Sequence, residues 1–405
     1  MEKLAIQGGV PVRSTMLAYG QQWIDERDID AVVSVLRGPF ITQGPYITEF
    51  EKEVASYAGA RYAVAFSSGT AALHGACFAA GIGTGDEVIT TPITFVASSN
   101  CVLYCGGTPV FADIDPATYN IDPEDIKRKI TPRTKAIIPV DFTGQPVEIE
   151  AIMNIAREHG LLVIQDAAHS LGAEYQNRKI GSFADMTMFS FHPVKHVTTG
   201  EGGVIVTDRE DLYRKLQLFR SHGITKDPSL LTQDEGPWYY EMHELGYHYR
   251  LTDLQAALGS SQMKKLDEFV RKRREIAAYY HEAFANLPGI RIPYQAAFAN
   301  SSWHLYMLRF EREAFKVDRQ ELFLALRAEN IGVHVHYIPV YKQPYYQRMG
   351  YSSTHCPEAE AFYQEAITLP IFPKMTRQDV EDVVRAVKKN ISTIRSNLKY
   401  YAKSL

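Results

Sequence analysis

The stretch FSFHPVKHVTTGEGGVIVTD, Phe189–Asp208, contains one lysine, Lys195, among small, aromatic and hydroxylated residues. It begins inside one apolar run, DMTMFSF, and ends in another, GGVIVTD, and both have the length and composition of buried strands. Lys195 lies between His192 and His196 in a segment poor in charge, whereas a surface lysine usually has acidic or polar neighbours. The stretch therefore predicts two buried strands with a candidate reactive amine between them.

Short apolar runs alternate with helical patterns before this stretch. YAVAFSS, DEVITT, TPVFADI, TKAIIPV and LLVIQDA predict buried strands, and GTAALHGACFAAG and IEAIMNIAREHG predict helices. Such alternation is typical of an α/β domain in which a mostly parallel sheet is covered on both faces. We predict that this large domain, with an N-terminal segment, spans residues 1–255.

The composition of the chain changes after Gly223. A polar loop, KDPSLLTQDEGPWYYEMHELG, leads into a long helical pattern, TDLQAALGSSQMKKLDEFVRKRREIAAYYHEAFANL. We predict that this pattern is one helix linking two domains. The rest, with WHLYMLRF, a helix ending near Glu329 and HVHYIPV, predicts a smaller C-terminal α+β domain, so that the linking helix and this domain span residues 256–405.

Composition limits the classes of function. The 405 residues are 45% hydrophobic and 22% charged, as in a soluble globular enzyme. A net charge of -4 without any Lys/Arg block argues against nucleic acid as a partner. No run has signal-peptide or bilayer-spanning character, which predicts a cytoplasmic protein without a membrane partner. Four cysteines are too few for a disulfide framework, and the pair in CVLYC lacks a second pair for zinc.

The segment SSGTAAL, Ser67–Leu73, joins a predicted strand to a predicted helix. The free amides and positive end of such a helix can hold a phosphate, which makes Ser68, Gly69 and Thr70 candidates for anion binding. The same residues also suit an ordinary helix cap, and the two interpretations have about equal weight.

Two further residues lie at predicted strand ends. Asp166 ends the run LLVIQDA, at the edge where open α/β sheets bind ligands. It could cap the next helix, the commoner role for such an aspartate, or pair with a cationic ring nitrogen. Phe95 follows a strand end in TPITFVASSN and could stack on a flat cofactor, although an isolated phenylalanine more often belongs to the core.

One cofactor, pyridoxal phosphate (PLP), would use all of these features. It needs a lysine that bonds to its aldehyde, an acid that keeps its ring nitrogen protonated, a phosphate cup, and an apolar cover for the ring. Lys195, Asp166, the Ser68–Thr70 segment and Phe95 supply these residue types. The sequence therefore predicts a PLP enzyme.

At these motifs the sequence resembles the DegT-type sugar aminotransferases, which have the aspartate-aminotransferase-like fold (fold type I) of PLP enzymes. The resemblance covers nearly the whole chain. It rests on GPYITEFEKEVA, SSGTAAL, TFVAS, QDAAHSLGA, FSFHPVKHVTTGEGG, ELGYHYRLTDLQAALG and HVHYIPVY.

The resemblance implies a role for individual positions. Lys195 corresponds to the Schiff-base lysine, Asp166 to the partner of the ring nitrogen, and Phe95 to the stacking residue. His169 stands where a Gln or His meets the phenolic oxygen. The implied phosphate-binding residues are Ser68, Gly69, Thr70 and Ser190.

The sequence departs from the family at His248. Many members carry asparagine there, reaching from the neighbouring subunit to the cofactor phosphate. The motif GYHYR thus leaves this contact open, although a histidine N–H could still donate. A homodimer with shared active sites is implied by resemblance.

The resemblance also implies the chemistry. L-Glutamate would give its amino group to the cofactor, and a keto sugar would receive it, with Lys195 carrying protons in both halves. Relatives with histidine in place of this lysine catalyse deoxygenation, so the lysine favours transamination.

Within the family, HPVKHVTTGEGG and the segment from DEGPWYYEMHELG to LQAALG are most similar to enzymes of the pseudaminic-acid pathway. These aminate carbon 4 of a UDP-linked 2-acetamido-4-keto-6-deoxy-L-sugar. The residues His334, His336, Tyr337 and Lys342 are the candidates for substrate contact, or they only close the domain interface. The alternative substrates are the D-configured sugar of bacillosamine synthesis and the GDP-linked sugar of perosamine synthesis.

Other classes of function receive less support. His334 and His336 would lie on one strand face, but no third metal ligand accompanies them, so we predict no metal. A Rossmann dehydrogenase or epimerase is disfavoured because no G-x-G-x-x-G follows the first strand. A PLP-binding regulatory protein without turnover stays open, and the aromatic segment PWYYEMHELGYHY either covers the active site or packs on its own domain.

Overall fold

The computed structural model describes residues 2–233, 235–315 and 318–403. Its helices are α1 (Glu26–Arg37), α2 (Pro45–Ala58), α3 (Gly69–Ala79), α4 (Ala97–Tyr104), α5 (Pro123–Lys129), α6 (Ile149–His159), α7 (Glu210–Arg220), α8 (Asp253–Met263), α9 (Leu266–Phe284), α10 (Arg312–Phe315), α11 (Arg319–Ala328), α12 (Pro344–Arg348), α13 (Pro357–Glu365) and α14 (Arg377–Lys403). Within the described ranges, none of these helices combines the length and the apolar character needed to cross a bilayer.

Within the described residues, the strands belong to one large sheet and three small ones. They are β1 (Tyr62–Phe66), β2 (Glu87–Thr90), β3 (Thr108–Phe111), β4 (Thr134–Ile138), β5 (Leu162–Asp166), β6 (Glu174–Tyr175), β7 (Arg178–Lys179), β8 (Met186–Ser190), β9 (Gly203–Thr207), β10 (Ile224–Thr225), β11 (Glu241–Met242), β12 (Ile290–Arg291), β13 (Ala299–Asn300), β14 (Tyr306–Phe310) and β15 (Ala366–Leu369).

The large sheet has seven strands in the order β1-β9-β8-β5-β4-β2-β3. The pairs β8/β5, β5/β4, β4/β2 and β2/β3 are parallel, and β9 runs antiparallel to both of its neighbours, β1 and β8. Parallel strands require helical crossovers that cover both faces of the sheet. The α/β fold with a mostly parallel sheet is therefore confirmed.

Successive side chains of a strand in the large sheet pack into two different hydrophobic clusters. Along β5, Val163 belongs to the hydrophobic cluster that contains Val54 of α2, whereas Ile164 belongs to the cluster that contains Leu73 of α3. Successive side chains of a strand point to opposite faces, so these clusters are the two layers that helices cover. This double burial explains why the strands are continuous apolar runs in the sequence.

A close approach of two backbones positions the start of α3. Gly203, the first residue of β9, passes Ser68, the residue that caps α3. A Cβ at Gly203 would lie 2.5 Å from the Ser68 carbonyl oxygen. Any larger residue there would push β9 away from the helix start. The glycine pair of the opening stretch thus brings the end of β8 and the start of α3 together.

A second core lies around the small antiparallel sheet β12-β14-β15. Its hydrophobic cluster includes Tyr280 of α9, Leu308 of β14, Leu326 of α11 and Val383 of α14. Leu17 of the N-terminal segment also belongs to this cluster. The smaller α+β unit is thus present, and the division of the chain at residue 255 stays a prediction.

The prediction of one continuous linking helix is wrong. The structure has two helices there, α8 and α9, with a turn at Lys264 and Lys265. Lys265 is buried, and its Nζ lies 2.5 Å from Asp28 Oδ2 and 3.1 Å from Asp25 Oδ1. A buried ammonium needs such partners, and the turn lets it reach the start of α1. The partners are more than two hundred positions away in the chain, so the local helical pattern could not reveal the break.

Candidate active site

A cavity of about 330 Å³ opens beside the end of β5. The predicted residues that line it are Ser68, Gly69, Thr70, Phe95, Asp166, His169, Ser190, Lys195, His334, His336 and Tyr337. The same edge of a parallel sheet collects residues from distant parts of the chain. The structure thus brings together all predicted site residues except His248 and Lys342.

Asp166 is buried at the base of this cavity, with 4% of its surface exposed. Ser98 Oγ donates to Oδ2 at 2.6 Å, and the Ala168 amide donates to Oδ1 at 3.1 Å. Burial raises the pKa of Asp166, while these two hydrogen bonds and the positive charge of Lys195 oppose that rise. A buried carboxylate is stabilised by a nearby cation, so the site suits a ligand with a positively charged ring nitrogen.

Lys195 lies in the turn after β8, where its amide donates to the His192 carbonyl at 2.9 Å. Burial lowers the pKa of Lys195 to about 8; the Asp166 carboxylate raises it and the Arg273 guanidinium lowers it further. With this pKa, roughly one molecule in ten carries a neutral amine at pH 7, far more than for an ordinary lysine. Lys195 is thus suited to act as a nucleophile and a base.

The start of α3 forms an anion cradle. Ser68 caps the helix, its Oγ accepting from the Ala71 amide at 3.1 Å. The amides of Gly69 and Thr70 precede the first main-chain bond of the helix and so have no partner within it. A Cβ at Gly69 would lie 3.4 Å from Ser190 Oγ, so this hydroxyl borders the same space. Two amides, two hydroxyls and a positive helix end therefore suit a phosphate.

Phe95 is not a core residue, because 58% of its surface is exposed and it lines the cavity. Its ring centroid lies 6.3 Å from that of Tyr337. An exposed aromatic ring in a cavity that also contains a buried carboxylate is available to stack on a flat ring. The interpretation of Phe95 as core packing is thereby removed, while its stacking role stays a prediction.

His169 is buried against the wall of the cavity. Burial lowers the pKa of His169 well below its usual value of 6.5, so the ring is neutral at pH 7. Among the described residues, its Nδ1 has no hydrogen-bond partner. A neutral imidazole can donate one hydrogen bond and accept another, which fits the predicted contact with a phenolic oxygen.

His334 and His336 do not lie on a regular strand, and that prediction is wrong. Their segment makes one isolated bridge, between His334 and Thr368, before it crosses to the large sheet, where the Val340 amide donates to the Pro92 carbonyl at 3.0 Å. The two imidazole rings nevertheless stack with centroids 4.5 Å apart at the cavity wall. The two rings therefore lie together, as predicted, without a regular strand.

The two remaining predicted residues lie outside the cavity lining. The His248 ring stacks on His222 with centroids 5.4 Å apart, and its main chain bridges to Ser221. Lys342 Nζ is 2.6 Å from Glu360 Oε2. An ammonium paired in this way is less available to a substrate, so the structure gives the predicted contact of Lys342 no support.

Sequence reasoning missed several residues of the cavity. Tyr19, His192 and Glu201 line it, and Ser98 holds Asp166. Ser98 was detectable, because it follows Phe95 by three positions in TFVAS, where the chain passes from a strand end into a helix. Tyr19 carried no local signal, since its ring reaches the cavity by packing 5.2 Å from His334, far along the chain.

Comparisons with known proteins place this geometry in a family. The sequence profile of the DegT/DnrJ/EryC1/StrS aminotransferase family matches residues 22–388. Spore coat polysaccharide biosynthesis protein SpsC of Bacillus subtilis strain 168 is 44% identical over 381 residues, which cover 94% of this chain and 98% of that protein.

Solved structures agree with the sequence match. Helicobacter pylori PseC, an aminotransferase involved in the biosynthesis of pseudoaminic acid, has 35% identity and a TM-score of 0.87, with 94% of this chain and 100% of that chain covered. The PLP form of Spr1654 from Streptococcus pneumoniae has 29% identity and a TM-score of 0.87, with 94% and 99% covered.

The residues of the cavity fit the cofactor of these proteins. A Cβ at Gly69 would intrude on the cradle, and the buried Asp166 carboxylate favours a cationic ring nitrogen. The cofactor is pyridoxal phosphate, as predicted. Since the match runs through nearly the whole chain, from the first helix into the last, this protein belongs to the DegT/DnrJ/EryC1/StrS aminotransferase family and is a PLP-dependent sugar aminotransferase.

Proposed function

We propose that this enzyme transfers the amino group of L-glutamate to carbon 4 of a UDP-linked 2-acetamido-4-keto-6-deoxy-L-sugar, a precursor of pseudaminic acid. The observation that carries the substrate assignment is the likeness to Helicobacter pylori PseC over 94% of this chain. The predicted cytoplasmic location agrees with a nucleotide-linked substrate and stays a prediction.

Four groups of the cavity would hold the cofactor. The first turn of α3 and Ser190 would bind its phosphate, Asp166 would pair with its ring nitrogen, Phe95 would cover its ring, and His169 would meet its phenolic oxygen. When bound, PLP supplies an electron sink for the charge that develops as a proton leaves the α-carbon of the amino donor. Ser98 and the Ala168 amide keep the Asp166 carboxylate in place throughout.

Lys195 would carry the protons. In the first half-reaction its Nζ would take a proton from the α-carbon of glutamate and pass it to the cofactor, and in the second it would take a proton back and give it to carbon 4 of the sugar. Both transfers need the neutral amine at one moment and the ammonium at the next. A pKa of about 8 keeps both forms accessible near neutral pH.

The mouth of the cavity would receive the sugar nucleotide. Tyr19, His334 and His336 form a group of rings there, with the Tyr19 centroid 5.2 Å from that of His334 and 5.6 Å from that of His336. His336 Nδ1 is tied to Thr368 Oγ1 at 2.8 Å, so its ring is fixed. Rings and hydrogen-bonding groups held in this way can orient a ketone over the cofactor by contacts with remote parts of the substrate.

The substrate assignment predicts the outcome of a single-turnover experiment. The protein is first treated with L-glutamate, so that the cofactor carries the amino group, and is then freed of excess donor. The L-configured UDP keto sugar should restore the starting visible spectrum fastest, ahead of the D-configured UDP sugar of bacillosamine synthesis and the GDP-linked sugar of perosamine synthesis. Stopped-flow absorbance measures the three rates.

Each alternative gives a distinct result in that experiment. Faster recovery with the D-configured or GDP-linked sugar would reject the pseudaminic-acid assignment and keep the sugar aminotransferase. A spectrum that does not respond to glutamate and recovers with none of the sugars would favour the PLP-binding regulatory protein.

We also propose a homodimer in which His248 reaches the cofactor phosphate of the neighbouring subunit. Its position outside the cavity of its own chain, together with the GYHYR motif, supports this arrangement. In mixed dimers of a His248→Ala chain with a Lys195→Ala chain, one of the two sites contains both native residues. Mixing these two weakly active proteins should therefore restore up to about half of the native activity in the mixed dimers.

Subunit mixing has a matched control. In mixed dimers of Lys195→Ala with Asp166→Ala, each site keeps one defect, because both residues belong to the cavity of one chain. No recovery is expected in that pair. Recovery there but not with His248→Ala would contradict the shared site.

A further inference from the structure

Arg273 of α9 is a buried cation that has no carboxylate partner among the described residues. Only 1% of its surface is exposed. One of its terminal nitrogens donates to three main-chain carbonyls, those of Ile371 at 2.8 Å, His304 at 3.1 Å and Trp303 at 3.3 Å. Burial alone lowers the pKa of Arg273, to about 9, and no carboxylate of the described chain contributes. The side chain is therefore still positively charged at pH 7.

The three carbonyls connect Arg273 to two walls of the active-site cavity. The His304 ring packs on the ring of His169 with centroids 4.4 Å apart, and His169 lines the cavity. The Ile371 amide donates to the Tyr19 carbonyl at 3.2 Å, and Tyr19 also lines the cavity. Arg273 thus fastens the segments on which both residues depend.

The charge of Arg273 also acts on Lys195. The titratable and charged groups that face Lys195 are Asp166, His169, His192, His196, Glu201, His304, His336 and Arg273. Burial lowers the pKa values of all five histidines, so these rings are neutral at pH 7. Glu201 lies at the mouth, where water screens it.

Two charges are left close to Lys195 in the interior, and they oppose each other. The Asp166 carboxylate raises the pKa of Lys195, whereas the Arg273 guanidinium lowers it. A carboxylate beside Arg273 would cancel that positive charge. Carbonyl oxygens hold the guanidinium in place and leave its net charge intact.

We propose that Arg273 is a positioning residue for transamination, which fastens the segments behind His169 and Tyr19 and, through its uncompensated charge, increases the fraction of Lys195 in the neutral form that reacts. The proposal rests on the proposed role of Lys195 as the reacting amine. It assigns a function to a buried arginine that lies outside the cavity lining.

The test measures the protonation of Lys195 in the cofactor-free protein, without any sugar. Competitive labelling with acetic anhydride between about pH 6.5 and about pH 10.5, followed by mass spectrometry of the Lys195 peptide, gives the midpoint of its titration. In Arg273→Gln, which keeps an amide donor but loses the charge, the midpoint should rise by roughly half a pH unit or more. In Arg273→Lys, which keeps the charge, it should stay close to the native midpoint.

Arg274 supplies the matched control. It is the next residue of α9, and its guanidinium also binds carbonyls of the neighbouring segment, at 2.9 Å for Ser301 and 3.3 Å for Asn300. It makes no contribution to the pKa of Lys195. Arg274→Gln should therefore loosen comparable contacts and leave the Lys195 midpoint unchanged.

The outcomes separate charge from packing. An unchanged midpoint in a folded Arg273→Gln protein, or an equal shift in Arg274→Gln, overturns the proposal. Near-ultraviolet circular dichroism verifies that each variant folds. If Arg273→Gln does not fold, a raised Lys195 midpoint in Arg273→Lys overturns the proposal instead. Borohydride treatment decides independently whether Lys195 is the lysine that bonds to the cofactor. Cofactor fixed on another lysine would reject the proposed function, whereas the acetic anhydride titration would still show whether Arg273 shifts the midpoint of Lys195.

Discussion

Replacing Lys195 with alanine should reduce transamination by more than about ten-thousandfold. A positioned acid–base group contributes up to about 10⁴ in rate, and this lysine would serve as such a group in both half-reactions as well as bonding to the cofactor. Single-turnover absorbance with L-glutamate, and product analysis with the keto sugar, measure the loss. The Lys195→Ala protein should still bind PLP through the α3 cradle, Ser190 and Asp166.

A chemical experiment identifies the lysine directly. Borohydride treatment of the native, cofactor-loaded protein should fix the cofactor on the peptide that contains Lys195, as mass spectrometry detects. Lys127→Ala is the control for loss of a lysine in general, because its side chain is exposed on α5 and pairs with Glu124. Cofactor fixed on another lysine, or near-native turnover in Lys195→Ala, would contradict the assignment.

Replacing Asp166 with alanine should lower turnover by roughly a hundredfold to a thousandfold. The buried carboxylate would stabilise the positive charge on the ring nitrogen, and removing one preorganised electrostatic contact of this kind typically costs that much. Part of the cofactor should be retained through Lys195 and the phosphate cradle. Absorbance titration with PLP and steady-state rates measure the two effects separately.

Asp141 provides the matched control for Asp166. It is also a buried carboxylate of the large domain, and burial raises the pKa of Asp141 to about 6, but it binds Ser170 and Gln165 and lies outside the cavity lining. Asp141→Asn should change stability more than turnover of the folded protein, whereas Asp166→Asn should do the reverse. Similar turnover in Asp166→Ala and the native enzyme would reject the assigned role.

Much of the fold was predictable because its signals are local. Continuous apolar runs such as LLVIQDA are required where both faces of a strand are buried, and the runs predicted β5, β8 and β9 correctly. The candidate site was predictable for a related reason. The carboxyl ends of parallel strands and the helix starts that follow them meet at one edge of a sheet, so Ser68 and Asp166 were expected to lie together, and they line the same cavity.

What the sequence by itself determined is the order of strands and helices, the cofactor and the residue types that suit it, because these depend on periodicity, on strand ends and on motifs within short segments. Only the tertiary structure decided which of those residues share one cavity. It showed the turn at Lys264 and Lys265, the distance of Lys342 from the cavity, and the carbonyls that hold Arg273. The turn and the contacts of Arg273 each depend on burying a charge beside partners elsewhere in the chain. The free energy of a buried charge is set by its three-dimensional surroundings and not by its sequence neighbours.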